Sequence, residues 1–210
     1  ILPRPTKRAL DFFAKQAWLK KSDWYLAGGT ALAMQLCHRR SVDLDFFTPR
    51  ASFSLQSMLR HLEGDQWVTD FMEEGTVYGR LTGAKVSFIA YPFFFKKERP
   101  VWYGAVRVLV PKDIAVMKIV AISQRGRKRD FVDLFWYVTH VEPLEKILRR
   151  LPSQYPTVAH NYQHILKSLM YFDDAEADLM PAMPTAVSWR KVKDFFRSTV
   201  PQVTKDLLRL

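Results

Sequence analysis

Residues 25–47 read YLAGGTALAMQLCHRRSVDLDFF, and this stretch decides the fold. Trp24 to Ala27 is a short apolar run that stops at Gly28-Gly29, which predicts a buried strand breaking into a tight turn. Thr30 to His38 returns to helical composition, with Ala31, Leu32, Ala33, Met34 and Leu36. Val42 to Phe47 then alternates acidic with apolar residues. That is strand periodicity, and it puts the carboxylates of Asp43 and Asp45 on one face.

These residue types suit a phosphorylated ligand. Gly28 and Gly29 let the backbone approach closely, and the helix behind them offers its N-terminal amides to a phosphate. Thr30 adds a hydroxyl donor. Two carboxylates side by side are costly unless a cation neutralises them, and hard oxygen ligands suit Mg²⁺ or Mn²⁺ bound together with phosphate oxygens. Taken alone, a Gly-Gly before a helix is usually a turn, and an Asp-x-Asp is usually two solvated acids. Here the acids sit among Val42, Leu44, Phe46 and Phe47 at a short distance from the glycines, so the pair of features reads as one site.

Working outward, Thr6 to Lys20 reads as one amphipathic helix and Ser54 to Leu62 as another. Val77 to Thr82 and Lys85 to Ala90 read as strands joined by a Gly83-Ala84 turn, and Val106 to Val110 as a further strand. From Asp113 onward every periodic segment is helical: Asp113–Ser123, Asp130–Thr139, Leu144–Leu151, His160–Phe172 and Trp189–Thr199. The expected class is α+β, a mixed sheet with flanking helices. The expected division is an α/β core over 1–140 and a helical region over 141–210.

The 210 residues carry 32 Lys and Arg against 21 Asp and Glu, a net charge of +11 that favours polyanions such as RNA, DNA or nucleotides. The charge is uneven, at +6 over 1–42, −3 over 43–95 and +7 over 96–150. Composition is that of an ordinary globular chain, 48% hydrophobic and 25% charged, which excludes the disordered class. One cysteine, Cys37, excludes an intramolecular disulfide and a multi-cysteine zinc site. No apolar run is long enough for a membrane helix, and the first residues lack the apolar centre of a signal peptide, so a cytoplasmic location is expected. The chain does not start with Met, so residues can precede Ile1.

Gly28-Gly29-Thr30 followed by Asp43-Leu44-Asp45 resembles the signature of the nucleotidyltransferase superfamily, the polymerase β-like group. The wording from His38 to Phe47 is closer to the AbiEii/AbiGii-type nucleotidyltransferase toxins. A second block from Pro111 through Lys118, Arg125 and Asp130 to Leu134 is similar to that family too. The resemblance implies a nucleotidyltransferase fold. It implies transfer of a nucleoside monophosphate from a nucleoside triphosphate (NTP) to an acceptor hydroxyl, RNA or tRNA, with an antitoxin protein as partner. It assigns Asp43 and Asp45 to Mg²⁺ or Mn²⁺, and gives Lys118 and Asp130 catalytic roles. Lys118 would hold the triphosphate, and Asp130 would position Lys118 or the base or assist deprotonation of the acceptor. Gly28, Gly29, Thr30, Arg39 and Arg40 complete the expected nucleotide site, with one of the arginines alternatively pairing an acid when no metal is bound. Residues 125–129 form a basic turn that reads equally as an RNA contact and as a solvated loop. Ser87 stands where many relatives of this superfamily place a third carboxylate. That leaves a second reading, a nucleotide or RNA binder without turnover, and the basic charge leaves a third, a protein-interaction subunit whose basic surface meets an acidic partner.

Overall fold

The computed structural model describes residues 2–62, 64 and 66–208, and the chain forms two compact units, one ending at Val110 and the other beginning at Pro111. The helices α5 (Pro111–Arg125) and α6 (Lys128–His140) therefore group with the C-terminal helices, ahead of the boundary near 140 expected from the sequence.

The first unit contains α1 (Arg4–Phe13), α2 (Ala17–Lys21), β1 (Tyr25–Ala27), α3 (Gly28–Leu36), β2 (Leu44–Thr48) and α4 (Leu55–Leu62). It continues with β3 (Trp67–Glu73), β4 (Thr76–Leu81), β5 (Ala84–Ala90), β6 (Val101–Tyr103) and β7 (Val106–Val108). The strands form one mixed sheet in the order β3-β4-β5-β2-β1-β7-β6. β1 runs antiparallel to β2 and parallel to β7, and β2 runs parallel to β5. One face of this sheet is closed by aromatic packing. Phe46 and Phe88 stack at 5.0 Å, Phe13 of α1 meets Phe46 at 4.9 Å, and Trp24 meets Phe88 at 5.2 Å. Such offset and edge contacts add to the area these rings bury.

Three local expectations are corrected. The helix expected over Thr6–Lys20 breaks after Phe13, because the β6–β7 turn docks there. The Ala105 amide donates to the Ala14 carbonyl at 2.7 Å, and a Cβ on Gly104 would collide with that same oxygen. The β4–β5 turn is Thr82-Gly83 rather than Gly83-Ala84. Both residues have positive φ, 51° and 86°, the combination a two-residue hairpin with matching twist requires. Strands β3 and β6 were not expected, because each lies at an edge and lacks a buried alternating face. Val68, Phe71 and Met72 of β3 and Trp102 of β6 are all exposed.

The second unit adds α7 (Leu144–Gln154), α8 (Tyr162–Ser168), α9 (Asp173–Glu176) and α10 (Trp189–Leu208) to α5 and α6. Phe131 of α6 anchors its core against Phe172, Trp189 and Phe196. Helix α10 continues through Pro201, where the sequence suggested a stop. Val192, Phe196, Val200 and Val203 form one buried stripe along it, and this packing outweighs the amide that proline removes.

At the start of α7 the Glu142 carboxylate accepts from Tyr137 at 2.7 Å and from both terminal nitrogens of Arg150. Burial pushes the Glu142 carboxyl up, but the hydrogen bonds from Arg150 and Tyr137 outweigh it and hold it below its ordinary 4.5. A depressed carboxyl contributes stability above its unfolded-state pKa and loses it as pH falls through the folded value. Glu142→Gln is therefore expected to cost about 2 kcal/mol at neutral pH. That cost should shrink as pH falls below about 4.5. Urea melts of both proteins across that range check it; a cost independent of pH would show that the charge is not what stabilises.

Candidate active site

Every residue of the first sequence block lies in the first unit, and the fold brings its two decisive features into contact. Gly28 opens α3 with φ of +71°, a conformation that a side chain disfavours. A Cβ built there would lie 2.8 Å from the Asp45 Oδ2. The backbone of the glycine turn and the second carboxylate of the Asp-x-Asp pair are thus packed against each other. The register explains this: Ala27 at the end of β1 pairs with Asp45 on β2.

The other oxygen of Asp45 is held from the opposite side. Asp45 pairs in register with Ser87 on β5, and the Ser87 hydroxyl donates to Oδ1 at 2.7 Å. The position where the sequence suggested a missing third carboxylate is therefore the cross-strand neighbour of Asp45, and it carries a hydroxyl that orients the acid. Asp43 precedes β2 by one residue, and both acids are half-buried while Leu44 and Phe46 between and beyond them are fully buried. The alternation expected from the sequence is present, with the acids on the less covered face.

Thr30 acts differently from the expectation that it donates to a nucleotide. Its side chain is buried, sharing a hydrogen bond with the Ser41 hydroxyl at 2.8 Å and donating to the Asp43 carbonyl. It ties α3 to the segment carrying Asp43, which sets the acid pair relative to the helix start. The first turn of α3 has no capping side chain and no acidic residue. No side chain of the helix itself therefore competes for its leading amides, and the nearby charge is the Asp45 carboxylate, which a cation would neutralise. The two arginines separate: Arg39 is buried, with Nη1 donating to the Arg40 carbonyl at 3.0 Å, whereas Arg40 is exposed.

Gly28→Ala is the direct test of the contact between turn and acid. Positive φ costs a side-chain-bearing residue about 1 kcal/mol, and the added methyl must displace the Asp45 carboxylate. Turnover is expected to fall roughly tenfold to a hundredfold with only a few degrees lost in Tm. Unchanged turnover in such a protein would show that the position of Oδ2 is unimportant.

The second block lies in the second unit, where Lys118 and Asp130 are brought together. The Lys118 ammonium is 2.6 Å from Asp130 Oδ1 and 2.6 Å from Asp133 Oδ2, and all three side chains are buried. Asp133 is an equal partner in this cluster. It could have been inferred from the three-residue spacing, which puts both acids on one face of α6. The basic turn at 125–129 makes contacts within its own unit while Arg125, Arg127 and Arg129 stay exposed. Arg127 pairs with Asp178 at 2.6 Å, and the buried Lys128 reaches the carbonyls of Glu176 and Asp178.

Among the described residues no group of three or more His, Cys, Asp or Glu side chains clusters as a metal site. Asp43 and Asp45 are the residues that could hold a cation, and their hard oxygens match a divalent ion that keeps waters and phosphate oxygens as its other ligands. No helix among the described residues is long and apolar enough to cross a membrane.

The chain is similar to several known proteins. An uncharacterised protein of Aquifex aeolicus is 35% identical over 188 residues, covering 86% of this chain and 88% of its own. Two solved structures share the fold at 14% identity. One is an H. pylori protein assigned as a nucleotidyltransferase, with a TM-score of 0.56 covering 96% of this chain and 95% of that one. The other is MenT4, a nucleotidyltransferase toxin of Mycobacterium tuberculosis, with a TM-score of 0.54 covering 97% and 89%. The model of the AbiEii nucleotidyltransferase toxins of type IV toxin–antitoxin systems matches residues 17–207, nearly the whole chain, and the protein belongs to that family.

Proposed function

We propose that this nucleotidyltransferase moves a nucleoside monophosphate from an NTP to a hydroxyl of an RNA acceptor, tRNA in the first instance, with a divalent cation held by Asp43 and Asp45. The observation that carries the reading is the packing of the Asp45 carboxylate against the Gly28 backbone at the start of an uncapped helix. A carboxylate of the acid pair and a helix start at one point are what a metal–triphosphate complex needs.

In the transfer, the acceptor oxygen forms a bond to the α-phosphorus while the bond from that phosphorus to the bridging oxygen of the β-phosphate breaks, releasing pyrophosphate. Bound at the acid pair, a divalent cation supplies charge neutralisation for the α-phosphate and the leaving group. The chain's own part is to hold Asp45 from two sides, through Ser87 and the Gly28 backbone, and to present the amides of α3 to the phosphates. Thr30 fixes the backbone at Asp43, and the exposed Arg40, rather than the buried Arg39, is assigned to phosphate oxygens. Asp130 and Asp133 hold Lys118 in a buried cluster of the second unit, and the triphosphate role expected for it is tested by the turnover of folded Lys118→Met. Family membership implies an antitoxin partner, and the basic chain suits a polyanionic acceptor.

Incubation with each labelled NTP, total tRNA and Mg²⁺ tests the proposal. Label is expected in RNA and absent when the cation is chelated. The hydroxyl of Ser87 in place of a third acid favours one alternative, a protein that binds nucleotide without turnover. Nucleotide-induced thermal stabilisation with no labelled RNA or protein would select it.

A further inference from the structure

The register of the sheet extends the Asp45 row outward to the edge. Asp45 pairs with Ser87, Ser87 with Tyr78 on β4, and Tyr78 with Phe71 on β3. Directly paired residues project from the same face, so Tyr78 and Phe71 stand on the face that carries the Asp45 carboxylate. Their rings stack at 6.0 Å with an interplanar angle of 27°. They are 40% and 47% exposed, whereas Val77 and Leu81, pointing to the other face of β4, are fully buried. The next row on the open face is basic: Arg80 pairs in register with Lys85, and both are exposed. Arg80 also pairs with Asp70 at 2.7 Å, which leaves Lys85 as the stronger phosphate contact.

We propose that this open face is a stacking platform for the single-stranded end of the acceptor RNA, with bases on Tyr78 and Phe71 and the backbone along Lys85 and Arg80. The proposal rests on the reading that Asp45 serves transfer to RNA. With strands about 4.8 Å apart, Tyr78 lies about 10 Å and Phe71 about 14 Å from Asp45 along the row. A mononucleotide is normally enclosed by a pocket, whereas two successive rings on an open sheet, flanked by cations, match the way single strands are bound. Lys85 beside the rings favours a polyanion over an apolar protein partner, and the paired rings favour bases over an acidic protein, with Asp70 and Glu73 on β3 limiting the cationic part of the platform to the β4–β5 side.

Binding of a short single-stranded RNA oligonucleotide to the full chain, read by fluorescence anisotropy, tests it. Tyr78→Ala and Phe71→Ala are each expected to weaken RNA about tenfold with unchanged NTP affinity and near-wild-type melting. Tyr78→Phe is expected to bind as the wild type does. Lys85→Gln is expected to reduce the salt slope of binding by about one. RNA affinity unchanged in both alanine variants overturns the platform, as does loss of NTP affinity instead, which would make the rings a seat for the incoming nucleotide. The two readings fail separately. RNA bound through these rings but never labelled would keep the platform and discard transfer to RNA. RNA labelled equally well by both alanine variants, at unchanged KM, would do the reverse.

Discussion

Asp45→Asn is expected to lower the rate of nucleotidyl transfer by about a thousandfold or more while the fold survives. The effect is large because the substitution removes one of the two charges proposed to hold the cation. Neutralising the charge that develops at phosphorus usually supplies most of the acceleration in such reactions. The fold should survive because asparagine is isosteric and the Oδ1 position can still accept from Ser87. Removing one of two neighbouring acids also relieves repulsion between them, so Tm should stay level or rise slightly. Single-turnover labelling beside a thermal melt separates the two effects. A variant that is inactive only because it is unfolded would say nothing about the metal, and the melt identifies that case. Ser87→Ala, which removes the support and keeps both acids, should show a milder loss.

Lys118→Met is expected to be the most destabilising single change considered. Its ammonium lies between two carboxylates in a buried cluster of three charges. Removing one partner of a buried ion pair leaves uncompensated charge, at a cost of about 3–5 kcal/mol. For a chain of this size that corresponds to a Tm lower by roughly 10 °C. The companion variant Asp133→Asn keeps Asp130 beside Lys118 and should cost less. A double-mutant cycle between Lys118 and Asp133 should give a coupling of about 1–3 kcal/mol. Turnover measured on protein that is still folded then decides whether Lys118 also serves the triphosphate. Activity that tracks the folded fraction confines it to joining α5 and α6, and activity lost well beyond that fraction assigns it to the phosphates.

The sequence carried these two clusters unequally. The glycine turn, the helix behind it and the acidic strand were legible because each is written locally, in backbone freedom, composition and period-two alternation. The position of Ser87 was legible as an absence, but its bond to Asp45 needed the parallel pairing of β2 with β5, a long-range register that no local pattern encodes. Thr30 shows the same limit: a hydroxyl after a glycine turn reads as a ligand donor, and only the path of residues 41–43 reveals that it is taken internally. Edge strand β3 escaped because both of its faces are exposed and Asp70 interrupts its register, so it has no buried period to detect. The break after Phe13 arises from the β6–β7 turn, remote in sequence, with no proline or glycine at 14–16 to announce it.

The most direct measurement compares an NTP labelled at the α-phosphate with one labelled at the γ-phosphate, using wild-type protein and Asp45→Asn with RNA and Mg²⁺. A two-acid metal site for nucleotidyl transfer predicts that α-label enters the acceptor, γ-label leaves with pyrophosphate, and the asparagine variant transfers neither. Transfer of γ-label, or α-label incorporated at full rate by Asp45→Asn, would contradict it.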